Sequence, residues 1–580
     1  MRKNFLLSLL SAVYLLFAAT HVALSQQTVQ DGLKYIDNEQ FQNAKKLFQN
    51  LVKQDPKAEH YYYLGNTYLL LFDIDSADEY IDTARMNFEL GAAKDAKYAL
   101  NYVGLGSVKM FQKNKQGAVD YFNKAMEMTK SKDIEVLYRI AQGYIMFDYN
   151  DPVSAIEVLT KAIERDKKKV ELYLMRGDAF LMQNDGSRAN TDYDEAIRLQ
   201  PTSPRGYIRS GKVLIRAKNF QGALELYKTG IEKDPNYMPA YRELGELYYL
   251  AGRYKEAIDS YRKYINNSDA GLDAKYKFAA FLYLNKDYME AIDILRELDK
   301  ILKLATIHRL MGYCYYEVKQ YDMAAEQMEE FFKEANPNKI LPTDYDYRGR
   351  AYLAKPSATA TDSTKGIENI YKYAEKDTSK AEKTLTDLAE SFYKQKRYTK
   401  SAEIYEKLLT TIKDVNSNAY FKLGLSYYFV RNEYANALQA NAAKIDKANI
   451  MADTTFSKLL VLVPNSTQAN LWKARTKVRL EPNSANLKEG ATAKFLAQPY
   501  YEKYVELMEK QTDKSKSVRD LIEACWFLGN YSLHSLKDKA KAEEWWKKGL
   551  TYDANYEALK NILQTSEQSK DINELMKLIK

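Results

Sequence analysis

Cysteine, histidine, proline and glycine are all scarce in this chain of 580 residues, at 2, 4, 12 and 23. Two cysteines, Cys314 and Cys525, cannot build a disulfide framework, and they read as small buried hydrophobes. His60, His308 and His534 stand alone, without the spacing a zinc site needs. Few prolines and glycines exclude collagen-like and low-complexity chains, and 46% hydrophobic residues is too apolar for a disordered one. A lopsided charge is missing as well. The net charge of +8, from 86 basic and 78 acidic residues, is too thinly spread for the basic patch of a nucleic-acid binder. No P-loop, G-x-S-x-G or H-E-x-x-H occurs, and Gly104-Leu105-Gly106 is a lone G-x-G between helical residues. We therefore expect no enzyme, no catalytic residue, no metal, no cofactor and no nucleic-acid partner.

The chain has a single long apolar run, Phe5 to Ala19, preceded by Arg2 and Lys3 and followed by Ala23-Leu24-Ser25. Charged start, apolar middle and small residues at the cleavage place read as a secretory signal over 1–25, removed after Ser25 together with His21. The alternative is an uncleaved anchor, because Phe5 to Ala23 approaches the shortest membrane span. No cysteine follows the run to carry a lipid, and no later segment is apolar enough to span. The expectation is an exported chain with no transmembrane span after signal cleavage.

A period of 34 residues organises the rest. Gly177, Gly211 and Gly245 are followed by Ala279 at that interval; Ala189, Ala223, Ala257 and Ala291 keep it, as do Tyr193, Tyr227 and Tyr261, and Pro201 and Pro235. Such self-similarity marks a stack of identical supersecondary units. Each unit carries two helical patterns: Tyr241, Leu244, Gly245 and Tyr248, then, past a turn at Gly252-Arg253, Ala257, Ile258, Tyr261 and Ile265. Asp234-Pro235 separates neighbouring units. Gly245 is expected to face Ala257 across the hairpin, small residues letting the helix axes approach. Most of the 49 tyrosines fall in these columns and read as core.

Glycine, tyrosine, alanine, aromatic and proline at these offsets resemble the tetratricopeptide repeat. Gly32, Tyr35, Ala44, Phe48 and Pro56 fit a first unit; Leu64-Gly65, Leu105-Gly106, Ala141, Gly312, Gly349, Ala389, Leu423-Gly424 and Leu528-Gly529 open others. The resemblance implies an all-α, right-handed superhelical solenoid of about fourteen hairpins. Residues 26–337 read as a regular array and 338–465 as one with enlarged turns and an Ala- and Asn-rich insertion at 430–455. Residues 466–555 read as irregular, with the register broken over 475–499 around Pro482 and Gly490. Residues 556–580 read as one capping helix, with Ile572, Leu575, Met576 and Ile579 on one face.

One stripe stands out. Arg205, Arg209, Lys212 and Arg216 share a face of one first helix, and Arg242 falls on a similar position in the next unit. In the family that it resembles, first helices line a concave groove, so these cations would gather into a pocket for a carboxylate or an acidic peptide. Asp178 and Glu246 occupy matching places and could neutralise them instead. Tyr276, Tyr283, Tyr313 and Tyr316 form a second groove feature, suited to an extended peptide or a glycan, or simply to packing. The resemblance implies a non-enzymatic scaffold that binds other proteins or their peptide segments. With export, it points to assembly or secretion machinery in the periplasm or on the outer-membrane side of a Gram-negative bacterium. The alternative is a glycan-capture protein of the outer-membrane side.

Overall fold

The computed structural model describes residues 28–75, 78–481, 494–569 and 571–578. The signal read at 1–25, Pro482, Gly490 and Ile579 lie outside the described residues. Among the described residues there are thirty α-helices, packed as consecutive hairpins. The contacts divide the chain into two units, ending and beginning at Ala335 and Asn336. No helix among the described residues is long and apolar enough to cross a membrane.

The first unit holds nine hairpins. They begin with α1 (Val29–Asp37) and α2 (Phe41–Gln54), α3 (Ala58–Asp75) and α4 (Glu79–Lys94), α5 (Leu100–Phe111) and α6 (Lys115–Met128). Next come α7 (Ile134–Ile145) and α8 (Pro152–Arg165), α9 (Val170–Met182) and α10 (Gly186–Leu199), α11 (Pro204–Arg216) and α12 (Phe220–Lys233). The last are α13 (Met238–Leu250) and α14 (Tyr254–Asn267), α15 (Leu272–Leu284) and α16 (Tyr288–Leu302), α17 (Ala305–Glu317) and α18 (Tyr321–Glu334).

One close contact sets each regular hairpin. A methyl group on Gly177 or Gly211 would come within 2.3 Å of the ring of Tyr193 or Tyr227, sixteen residues on. Gly32 and Gly106 sit in the same way against Phe48 and Phe122. For Gly245 the nearest group is the Tyr261 ring at 2.8 Å, with the Ala257 carbonyl at 3.1 Å, so the aromatic ring joins the expected alanine as the glycine's partner. The rings of Tyr193, Tyr227 and Tyr261 are fully buried, as their column predicts.

The turn inside each hairpin has its own chemistry. The residue two before the second helix lies at positive φ in nine hairpins: Glu39, Lys113, Asn184, Lys218, Gly252, Lys286, Lys319, Lys396 and Lys537. Gly252 and, to a lesser degree, Asn184 are the residue types among these that such a conformation favours. The following residue often caps the second helix, as Asn114, Asp185 and Asn219 do by accepting the backbone N–H three residues on.

The second unit holds six hairpins: α19 (Pro342–Ala354) and α20 (Ala360–Lys376), α21 (Thr378–Lys394) and α22 (Tyr398–Thr411), α23 (Ser417–Glu433) and α24 (Ala442–Leu462). After these come α25 (Thr467–Leu480) and α26 (Gln498–Glu509), α27 (Val518–His534) and α28 (Lys539–Tyr552), α29 (Glu557–Gln568) and α30 (Ile572–Leu578). The total is thus fifteen hairpins, against about fourteen expected. The inserted stretch forms two short 3-10 turns, Ala435–Ala437 and Gln439–Asn441, and the start of α24, which is 21 residues long. One sequence expectation, at the C-terminal end, is corrected here, while most of 475–499 lies outside the described residues. Helix α25 runs unbroken through 475–480 and pairs with α26, Leu471, Ala474, Tyr501 and Tyr504 being buried between them. Its alanine stands where most hairpins carry glycine, so the repeat signature is silent. The stretch 556–580 holds two helices rather than one cap, because Ser569 ends α29.

A candidate groove of paired charges

Helix α11 begins at Ser203, whose hydroxyl accepts the Arg205 N–H, and has Pro204 in its first turn. Gly206, Ile208, Ser210 and Gly211 are buried, which turns Arg205, Arg209, Lys212 and Arg216 to the opposite face. That face borders a cavity of about 290 Å³ spanning three successive first helices. Asp178, Leu181 and Met182 come from α9, Ile208, Arg209, Lys212 and Arg216 from α11, and Pro239, Arg242 and Glu243 from α13. Tyr237 and Glu39 complete the lining.

Most of the cations are held by acids from other helices. Arg209 Nε donates to both Asp178 oxygens at 3.0 and 2.9 Å, and the core hydroxyl of Tyr193 donates to the same carboxylate at 2.8 Å. Lys212 lies 3.4 Å from Glu243, which also takes Arg242 at 2.9 Å. Arg242 Nη1 reaches the Glu39 carboxylate at 2.5 and 2.7 Å. Arg205 is outside the cavity, tied to Glu171 at 2.7 Å and Asp37 at 3.6 Å. Arg216 differs: it donates to the Leu181 carbonyl and forms no ion pair among the described residues. Four cations face three carboxylates in this lining, which leaves one positive charge in excess.

Burial pushes the Glu243 carboxyl up, but Lys212 and Arg242 together hold it below the usual carboxylate range. For Arg209, burial pulls the guanidinium down, and Asp178 more than restores it. Glu246, the other acid expected to neutralise the stripe, pairs instead with Lys277 at 3.3 Å.

None of the four singled-out tyrosines lines this cavity. Tyr283 and Tyr313 are brought together, their ring centroids 5.9 Å apart, and Tyr313 is buried. Tyr316 packs on Tyr321 at 5.4 Å, and Tyr276 donates to the Thr306 carbonyl at 3.3 Å. Cys314 and Cys525 are buried in separate units, and burial pushes both thiols up to about 12. His308 Nδ1 pairs with Gln327 at 2.9 Å and His60 Nδ1 with the Asp55 carbonyl at 2.6 Å.

Sequence reasoning passed over Asp37, Glu39, Glu171 and Glu243. Glu39 left one trace: it stands in the turn column where six of the nine residues are lysine.

The family model described as tetratricopeptide repeat matches residues 142–204 and 208–271. The chain is similar to tetratricopeptide repeat protein 16 of Homo sapiens, 29% identical over 132 residues that cover 20% of this chain and 15% of that one. It is also similar to the Hsp70-Hsp90 organizing protein of Triticum aestivum, 24% identical over 225 residues, 32% of this chain and 38% of the other. The matches thus span well under half the length of these curated relatives. A solved structure, the C-terminal part of a TPR repeat-containing protein from Cytophaga hutchinsonii, is 26% identical and covers 49% of this chain and 98% of its own, with a TM-score of 0.31.

Proposed function

We propose that this chain, whose residues 142–204 and 208–271 match the tetratricopeptide repeat, is a protein–protein interaction scaffold that holds an acidic segment of a partner in the cavity at Arg209, Lys212, Arg216 and Arg242. The carrying observation is the surplus cation: Arg216 has only a carbonyl for company in a lining where every other charge has an opposite partner. A carboxylate arriving there gains a charge-assisted hydrogen bond, and Leu181, Met182 and Ile208 offer apolar surface beside it. Because three packed helices pre-form the site, little ordering cost falls on binding.

The leader-like segment at 1–25 supports export, and the scaffold is then one of the Gram-negative envelope, serving assembly or secretion machinery. In-cell crosslinking followed by mass spectrometry tests this. Envelope proteins captured by the native chain and lost from Arg209→Glu/Arg216→Glu support the reading. An unchanged capture list removes the cavity from it, and heat on titration with oligosaccharides in place of any protein partner turns it to glycan capture.

A further inference from the structure

The first unit closes on itself through groups 168 to 230 positions apart in the chain, and these contacts converge on one turn. Glu39 accepts from Arg242 and, at 2.7 Å, from the Tyr264 hydroxyl. Its carbonyl accepts the Asp269 N–H at 2.8 Å. Gln40 Nε2 donates to the Asn267 carbonyl at 2.9 Å, and the Gln42 N–H donates to the Asp269 carboxylate at 2.7 Å. Asp37 faces Arg205 at 3.6 Å.

We propose that this turn, residues 37–42, is an internal acidic occupant of the basic cavity, a clasp that a partner's acidic segment must displace. The proposal rests on the reading of the cavity given above, and adds its regulation. Three observations carry it. Glu39 is itself part of the cavity lining, so its carboxylate stands where an incoming one would compete for Arg242. The corresponding turn residue is lysine in six of the nine hairpins with this geometry, and Glu39 is the one acid among them, placed opposite an arginine. The turn also belongs to the first described hairpin, which stacks on one neighbour in the array, so that releasing the clasp parts no interior repeats. Displacement exchanges one carboxylate for another on Arg242 and Arg205, so no buried guanidinium is left without an acid.

The test uses the full chain and fluorescein-labelled hexaglutamate, read by anisotropy at low salt. Glu39→Gln keeps the shape of the turn and removes its charge; the apparent affinity for hexaglutamate should rise about tenfold, as expected when a competing closed state is depopulated. Arg216→Glu should abolish binding in both backgrounds. In the native chain, adding hexaglutamate should speed hydrogen exchange at the Asp269 and Gln42 amides and leave α18 unchanged. If Glu39→Gln fails to fold, Asp37→Asn should give a smaller gain of about threefold by the same competition. An affinity unchanged by either substitution, with Arg216→Glu still abolishing binding, overturns the clasp and leaves the cavity reading intact. Hexaglutamate that fails to bind, or binds without regard to Arg216, overturns the cavity reading and the clasp's role with it.

Discussion

Hairpin α11–α12 and hairpin α23–α24 solve one packing problem with different amounts of chain. In the first, Gly211 meets Tyr227 sixteen residues on, across a turn of three residues. In the second, Gly424 meets Phe456 thirty-two residues on, with two 3-10 turns and a lengthened helix in between. A methyl group would stand 2.3 Å from the ring in one and 2.6 Å in the other. The comparison teaches that a hairpin of this array is set by a glycine and a ring in contact. The length of chain joining them is nearly free, since closure entropy grows slowly with loop length.

The largest effects should come from emptying the contact. Tyr227→Ala and Phe456→Ala should each destabilise their hairpin by about 3–5 kcal/mol, and by similar amounts. Hydrogen exchange of the two hairpins reads this locally, since a long array need not unfold in one step. A much smaller loss at Phe456 would mean that the inserted hairpin is held by something else. Filling the contact is the next test. Gly211→Ala and Gly424→Ala gain helix propensity but push a methyl into a ring, for a net loss of about 1–2 kcal/mol each. Gly186→Ala, with only a Val213 methyl at 3.3 Å, should be tolerated, as thermal melts of the three variants would show.

Acid should separate the two hairpins differently. Both Glu171 and Glu243, which hold Arg205 and Lys212, have carboxyls lowered from 4.5; burial raises each, and the facing cations outweigh it. A carboxylate lowered on folding adds stability above its unfolded value, lost as pH falls through the folded one. Amide protection in α11 should therefore hold down to about pH 4.5 and decline below it. Acid-insensitive protection there would show that these pairs contribute nothing. The smallest effects belong to the turns: Lys218→Gly, at φ 60°, should stabilise by about 0.5–1 kcal/mol, and Gly252→Ala, at φ 70°, should cost about as much. Denaturant midpoints would resolve the pair.

Much of the fold was legible because its contacts are local and repeated. Gly177, Gly211 and Gly245 with Tyr193, Tyr227 and Tyr261 announced the two helices and their buried face from spacing alone. The pair α25 and α26 was less legible, since Ala474 replaces the glycine and the chain between the helices is long. Of the candidate site, the stripe on α11 was readable, as was Asp178 opposite Arg209, one repeat away. Glu243 and Glu171 were not singled out, because acids on a helix surface are too common for spacing to distinguish them.

By itself, then, the sequence determined the repeat, the helices, the core tyrosines and the face on which the cations stand, all of which depend on neighbours within about one period. Only the tertiary structure decided which charges remain uncompensated and where the first unit closes. Arg242 meets Glu39 because the stacking of five intervening hairpins sums to one closed turn, and small rotations between units, accumulated over 203 residues, leave no periodic mark on the chain.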